Sequence, residues 1–210
     1  MSPECVILLH GLLRKSSSMK KMEKALKSSG YIVINHNYPS TKSTIKTLSN
    51  EEIPKSLSQC PEESIIHFVT HSMGGILLRT YLNEHVINNL GKVVMLGPPN
   101  QGSQIVDKIG TLPGFKLING PASLELGTEG IVKSLKPINF DLGIIAGSKS
   151  FDFIGSMMLP GPNDGRVSIQ STKVEGMKDH LVMDVTHTFM MRNSKVIKKT
   201  IHFLKVGSFN

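Results

Sequence analysis

The sequence predicts an α/β fold in which helices cover both faces of a parallel, doubly wound sheet. Short, continuous apolar runs alternate along the chain with segments whose apolar residues recur at helical spacing. Strands that are buried on both faces produce such runs, and alternation of strand and helix is typical of a parallel sheet. The length of 210 residues suits one domain, and no linker divides it, so we expect a single domain over 1–210.

Six strands and four longer helices are predicted in alternating order. The apolar runs place the strands at 6–9, 31–34, 64–69, 92–96, 142–146 and 180–185. Helical spacing of apolar residues places helices between Ser16 and Gly30, over 43–57 and 74–85, and after the last strand. Ligands of such sheets bind beyond the carboxyl ends of the strands, so the residues that follow each strand are the candidates for chemistry.

The formal net charge of +8 and the pI near 9.5 say little about partners. Much of the excess comes from lysines on the polar faces of predicted helices, such as Lys20, Lys24 and Lys198. The chain has three Tyr, eight Phe and no Trp, and basic residues are not interleaved with aromatic ones as in proteins that stack on bases. We therefore expect no nucleic-acid partner and only a weak attraction to an anionic membrane surface. The sequence does not indicate an oligomeric state.

The two cysteines, Cys5 and Cys60, are isolated from each other and from histidines at metal-ligand spacing. We expect two reduced thiols in or near the core, with neither a disulfide nor a zinc site. The N-terminus shows no basic region followed by a cleavage site, and the longest apolar runs are too short to cross a bilayer. A cytoplasmic location is the resulting expectation.

The stretch Thr70-His71-Ser72-Met73-Gly74-Gly75 connects a predicted strand to a predicted helix. A sharp strand-to-helix turn forces its corner residue into a strained conformation and projects the side chain into the cleft. Small residues after the corner allow the helix to approach the sheet closely. Ser72 is therefore a candidate nucleophile, and its alternative role is to cap the following helix.

Three segments resemble bacterial lipases and esterases of the α/β-hydrolase family. They are HGLL at 10–13, HSMGG at 71–75 and LGPPNQGS at 96–103. The match runs from the first strand to the last helix in the right order, although Thr70 replaces the first Gly of the G-x-S-x-G pattern. The resemblance implies an α/β-hydrolase fold with a minimal sheet of about six parallel strands and no large cap domain.

The family order of nucleophile, acid and histidine implies a triad of Ser72, Asp164 and His187. His187 follows the last strand directly, and Asp164 lies in an Asn-Asp-Gly turn after the strand before it. The Asp164 turn also has a purely local explanation, and Asp152 is the alternative acid. The other histidines are interpreted as structural, and the side chain of His71 is expected to point away from Ser72.

The resemblance also implies an oxyanion hole made by the backbone N–H groups of Leu12 and Met73. No metal and no organic cofactor is expected. We expect an apolar mouth formed by 12–13, Met73 and 98–99, with the loop 157–159 either at the mouth or in the core. The segment 101–137 is expected to form a short lid or irregular connections.

The expected function is that of a serine hydrolase that cleaves carboxylic esters or lipids through an acyl-enzyme on Ser72. A thioesterase, an amidase and an acyltransferase use the same triad and remain alternatives. A non-catalytic binding protein of this fold is disfavoured, because every triad position and both oxyanion segments carry suitable residues.

Overall fold

The computed structural model describes residues 2–151 and 153–210. Its strands are β1 (Glu4–Leu9), β2 (Ile32–His36), β3 (Ile65–His71), β4 (Leu90–Leu96), β5 (Leu142–Gly147) and β6 (Asp179–Met183). Its helices are α1 (Lys20–Ser28), α2 (Ile45–Leu57), α3 (Met73–Glu84), α4 (Gln104–Ile109), α5 (Phe115–Asn119), α6 (Pro121–Leu124), α7 (Phe153–Met157), α8 (Ile169–Thr172) and α9 (Ser194–Val206). The predicted six-stranded sheet with flanking helices is confirmed, and no large cap is present among the described residues.

The strand order β2-β1-β3-β4-β5-β6 determines where a ligand can bind. All neighbouring pairs are parallel. The chain leaves β1 toward β2 on one side and then returns to place β3 on the other side of β1. The loops that follow β1 and β3 therefore diverge and open a crevice at the carboxyl ends of these two strands. Leu12 and Ser72 both lie in this crevice region.

Two hydrophobic clusters cover the two faces of the sheet. Successive side chains of β1 point to opposite faces, so that Ile7 belongs to one cluster and Leu8 to the other. Helices α2 and α3 pack on the first face, and α1 and α9 pack on the second. Burial on both faces explains why the strands appear in the sequence as continuous apolar runs.

The element boundaries differ from the predicted ones mainly at their ends. The Ser16–Met19 stretch forms a 3-10 turn before α1, and no serine side chain caps the helix. Strand β2 is shifted toward His36, and β6 ends at Met183 rather than at 185. The segment 101–137 contains three short α-helices, α4 to α6, and a short 3-10 helix at Ile131–Ser134. It is therefore partly helical.

The expectation of two reduced cysteines is wrong, because Cys5 and Cys60 form a disulfide. Their Cα atoms lie 6.0 Å apart although 55 positions separate them in sequence. Cys5 is near the start of β1, where its register partner on β3 is Ile66. The chain that leads into β3 brings Cys60 back to this end of β1. The proximity follows from the pairing of β1 with β3, which cysteine spacing alone does not reveal.

None of the helices in 2–151 and 153–210 combines the length and the apolar character that a membrane crossing demands.

The disulfide is expected to contribute substantially to stability, because it closes a loop of 55 positions. The chain-entropy model gives about 4 kcal/mol for such a loop, and measured values are commonly about 2–4 kcal/mol. Reduction should lower the Tm by about 5–15 °C. The measurement is thermal unfolding with and without dithiothreitol. In the matched control Cys5→Ala/Cys60→Ala, the reductant should leave the Tm unchanged. Detection of free thiols in the native protein without reductant would contradict the prediction.

Candidate active site

Ser72 occupies the corner between β3 and α3. Its backbone has φ 53° and ψ −123°, a conformation that non-glycine residues rarely adopt. The turn is this sharp because α3 approaches β1 closely: a Cβ atom on Gly74 would lie 2.7 Å from the carbonyl oxygen of Leu9. The side chain of Ser72 makes no capping hydrogen bond to α3, so the helix-cap alternative has no support.

Thr70 fits beneath this turn because residue 75 is glycine. Thr70 is fully buried, and its Oγ1 would lie 3.1 Å from a Cβ atom on Gly75. The threonine that replaces the usual glycine is thus accommodated by a second glycine on the facing helix. The departure from the common motif leaves the corner intact.

The structure brings Asp164 and His187 into direct contact. The imidazole Nδ1 of His187 donates a hydrogen bond of 2.8 Å to Oδ2 of Asp164. The backbone N–H of His187 also donates to the carbonyl oxygen of Asp164, at 3.0 Å. The other carboxylate oxygen, Oδ1, accepts from the N–H groups of Arg166 and Val167. Asp164 is 2% exposed, so this buried carboxylate is held by charge-assisted hydrogen bonds.

Glycines at the carboxyl ends of β4 and β5 make room for this pair. A Cβ atom on Gly97 would lie 3.1 Å from both Asp164 Oδ2 and His187 Nδ1. A Cβ atom on Gly147 would lie 2.7 Å from the Cβ of Asp164. The alternative acid, Asp152, lies outside the described residues.

Ser72 and His187 line the same cavity, which has a volume of about 420 Å³. Leu12, Leu13 and Pro99 also line it, as predicted. The short helices after β4 contribute apolar side chains to its wall, among them Ile105, Ile109 and Phe115. The segment 101–137 therefore forms part of the cavity wall, and the cavity is more apolar than polar.

Two expectations about the mouth of the cavity, those for Pro98 and Met73, are wrong for the described residues. Pro98 and the side chain of Met73 are not part of the cavity wall, and Met73 is fully buried in the core. The loop 157–159 does not line the cavity either. Met157 is exposed to solvent, Leu159 is buried, and the Met158 carbonyl accepts a hydrogen bond from Lys108 Nζ.

His71 does not point away from the site as expected. Its Nε2 donates a hydrogen bond of 3.0 Å to the carbonyl oxygen of His187, and the two ring centroids are 4.8 Å apart. Side chains alternate between faces in a regular strand, but the positive φ of Ser72 breaks this alternation at the corner. Gly11 leaves space for the ring, since a Cβ atom there would lie 3.0 Å from His71 Nδ1.

The buried position of His71 determines its charge. Burial lowers the pKa of His71 well below the ordinary histidine value, and the neighbouring His187 lowers it further. A neutral imidazole with its proton on Nε2 satisfies the bond to the His187 carbonyl. His71 therefore restrains the loop that carries His187.

His10 has the structural role that the sequence predicted. Its ring stacks on Tyr38 with a centroid separation of 4.1 Å, and the Tyr38 hydroxyl donates to the His10 carbonyl oxygen. His10 Nδ1 donates to the carbonyl oxygen of Gly11. Burial lowers the pKa of His10. These contacts fix the loop after β1, which also carries Leu12.

Two arginines in the cavity wall, Arg14 and Arg166, were not predicted as site residues. Arg14 follows β1 on the same loop as Leu12, at the edge of the sheet where ligands bind. The position of Arg14 on that loop is the feature of the sequence from which its place in the site could have been predicted. In the described part of the chain, no group of three or more histidine, cysteine or acidic side chains is arranged to hold a metal ion.

Comparison with known proteins supports the fold at low sequence identity. No family model and no curated protein matches the sequence. Among solved structures, the mature lipase BlEst2 of Bacillus licheniformis is similar with a TM-score of 0.72 and 20% identity, over 97% of this chain and 92% of that one. The metagenomic carboxyl esterase MGS0156 gives a TM-score of 0.74 and 17% identity, over 89% and 65% of the two chains.

A third similar structure is the phospholipase PlaB of Legionella pneumophila. Its TM-score is 0.72 at 14% identity, and the similarity covers 98% of this chain and 58% of that one. At these identities the comparisons establish architecture rather than activity. The chain has the α/β-hydrolase fold that these lipases and esterases share.

The neutral state of His71 predicts an acid-sensitive stability. The unfolded chain binds a proton on this histidine below about pH 6.5, whereas the folded state does not, so the free energy of unfolding falls as the pH drops below that value. In His71→Gln this dependence should be shallower by up to about 1.4 kcal/mol per pH unit. Burial lowers the pKa of His67 and His180 as well, so part of the dependence should remain.

The measurement is urea unfolding between neutral and mildly acidic pH. Ser72→Ala is the matched control, because it alters the same cavity without removing a titratable group. If the free energy of unfolding has the same pH dependence in His71→Gln and in the wild type, His71 is protonated in the folded state as it is in the unfolded chain, and the prediction is wrong.

Proposed function

We propose that the protein is a serine hydrolase that cleaves carboxylic esters through an acyl-enzyme on Ser72. The observation that carries the proposal is the hydrogen bond between His187 Nδ1 and Asp164 Oδ2, at the wall of the cavity that Ser72 also lines. This bond leaves Nε2 of the imidazole without a proton and able to accept one. The strained turn at Ser72 and the buried carboxylate of Asp164 support the same roles.

In the acylation step, the Ser72 hydroxyl attacks the ester carbonyl carbon while Nε2 of His187 takes its proton. Asp164 keeps the imidazole in the required tautomer and stabilises the imidazolium that forms. The tetrahedral intermediate then collapses, the bond to the alcohol breaks, and His187 returns the proton to the departing alcohol oxygen. Ser72 is left as an ester of the acyl group.

The negative charge on the carbonyl oxygen requires hydrogen-bond donors. Met73 begins α3 directly after Ser72, and the first N–H groups of a helix have no partners within the helix. Leu12 lines the cavity on the loop after β1. We assign the oxyanion hole to the backbone N–H groups of these two residues. Each such donor commonly contributes about 3 kcal/mol to the transition state.

Deacylation repeats the chemistry with water as the nucleophile. His187 removes a proton from water, the hydroxide oxygen adds to the acyl carbonyl, and the proton passes to the Ser72 oxygen as the acid is released. The cycle requires no metal and no organic cofactor. The apolar cavity wall supports a small ester or lipid as the substrate, and the similar structures named as a lipase and a carboxyl esterase support an ester bond.

The disulfide bears on where this reaction takes place. Disulfides persist in oxidising compartments and are rare in the cytosol. The Cys5–Cys60 bond therefore favours an oxidising location over the cytoplasmic one expected from the sequence.

A fluorophosphonate probe tests the nucleophile directly. The wild type should be labelled covalently and should hydrolyse p-nitrophenyl esters, whereas Ser72→Ala should lose the labelling and nearly all turnover, by about 10³-fold or more. Ser103→Ala is the matched control, because Ser103 lies in the same cavity wall and should leave labelling in place. Labelling of Ser72→Ala at the wild-type rate would remove Ser72 from its role.

A series of p-nitrophenyl esters with lengthening acyl chains tests the role of the helical segment. Each methylene buried against the cavity wall should raise kcat/KM by up to about fourfold until the wall is filled. Phe115→Ala should weaken the gain for the longer chains, since Phe115 lines the cavity. Leu117 lies on the same helix but is 90% exposed, so Leu117→Ala should behave as the wild type. A preference for acetate in all three proteins would contradict this assignment.

A further inference from the structure

The charge of the cavity wall is one-sided. Arg14 and Arg166 line it, and none of its described residues is an aspartate or a glutamate. The nearby carboxylate of Asp164 is already engaged by His187 and by two backbone N–H groups. Apart from the two histidines, the remaining residues of the wall carry no ionisable side chain. A neutral ester would therefore leave the positive charge of Arg14 without a counter-ion from the cavity wall.

Arg14 is the residue on which the inference rests, because Arg166 makes other interactions. The backbone N–H of Arg14 donates to the carbonyl oxygen of Gly11 at 3.2 Å, which closes a turn and fixes the start of the side chain. The side chain is partly buried. Within 2–151 and 153–210, no carboxylate lies within ion-pair distance of its guanidinium.

The guanidinium lies on the catalytic side of the loop. Its positive charge contributes to the lowered pKa of His71, after burial and His187, and His71 directly precedes Ser72. Partial burial weakens the hydration of a cation, and without a partner this loss is uncompensated. Guanidinium groups bind carboxylates and phosphates in a bidentate geometry, so an anionic group on the substrate would supply the missing partner.

We propose that the substrate ester carries an anionic group, a carboxylate or a phosphate, and that Arg14 binds it while the ester carbonyl lies at Ser72. This inference rests on the proposed ester hydrolysis. The anionic group lies at the loop after β1, and the hydrocarbon part lies against Ile105, Ile109 and Phe115 in the same cavity wall. The substrate is therefore amphiphilic, with its charge at a defined distance from the scissile bond.

Two matched pairs of esters test the proposal and distinguish a carboxylate from a phosphate as the anionic group. The first pair is p-nitrophenyl hexanoate and the p-nitrophenyl monoester of adipic acid, which differ by a carboxylate on the acyl side. The second pair is hexanoyl glycerol and hexanoyl glycerol phosphate, which differ by a phosphate on the alcohol side. In at least one pair, the wild type should hydrolyse the anionic member with a kcat/KM about tenfold higher or more.

The variants are Arg14→Gln and Arg14→Lys, with Lys15→Gln as the matched control. Arg14→Gln should abolish the preference, chiefly by raising KM for the anionic ester, and should change the neutral ester by less than about threefold. Arg14→Lys keeps the charge and should retain part of the preference. Lys15 is exposed and lies outside the cavity wall, so Lys15→Gln removes one positive charge without removing the binding group.

The outcomes separate this inference from the proposed function. Equal losses on both members of a pair in Arg14→Gln, or a wild type without preference in either pair, would overturn the role of Arg14 while leaving ester hydrolysis intact. A wild type that hydrolyses no ester and is not labelled by the fluorophosphonate would overturn the proposed function itself. If Arg14→Gln does not fold, the wild-type preference still decides, together with its loss at high ionic strength and competitive inhibition by inorganic phosphate.

Discussion

The close approach of α3 to β1 is the constraint from which the geometry of the site follows. Gly74 permits the approach, since a Cβ atom there would lie 2.7 Å from a backbone oxygen of β1. The chain consequently has to pass from strand to helix within a single residue. Ser72 takes up the turn with a positive φ, and the packing of α3 against the sheet holds it there. Its hydroxyl therefore projects into the crevice rather than along the helix.

The imidazole of His187 is restrained from two directions. Asp164 holds the ring nitrogen and the backbone N–H of His187, and His71 holds its carbonyl oxygen. His71 ends β3, so the loop after β6 is tied to the strand that precedes Ser72. In the proposed reaction, such restraint keeps the imidazole in position before the substrate arrives, and preorganised sites gain their advantage over water in this way.

The strands were predictable because burial on both faces leaves continuous apolar runs in the sequence. The three candidate triad residues were predictable because each follows a strand; the structure places Ser72 and His187 in the wall of one cavity and Asp164 in contact with His187. The Cys5–Cys60 disulfide was not predictable, because it depends on which strands pair with each other. The inward position of His71 was missed because strand alternation fails at a residue with positive φ. Arg14 was missed because only the folded cavity shows which charges have no partner.

The position of the disulfide has a consequence for how the chain can change. Cys5 lies near the amino end of β1, whereas Ser72 and the cavity lie beyond the carboxyl ends of the strands. The whole height of the sheet separates the disulfide from the proposed site of reaction. Replacement of both cysteines by packed apolar side chains therefore leaves the residues of the cavity wall in place. Substitutions that change stability at the disulfide and substitutions that change the cavity can therefore accumulate independently in this fold.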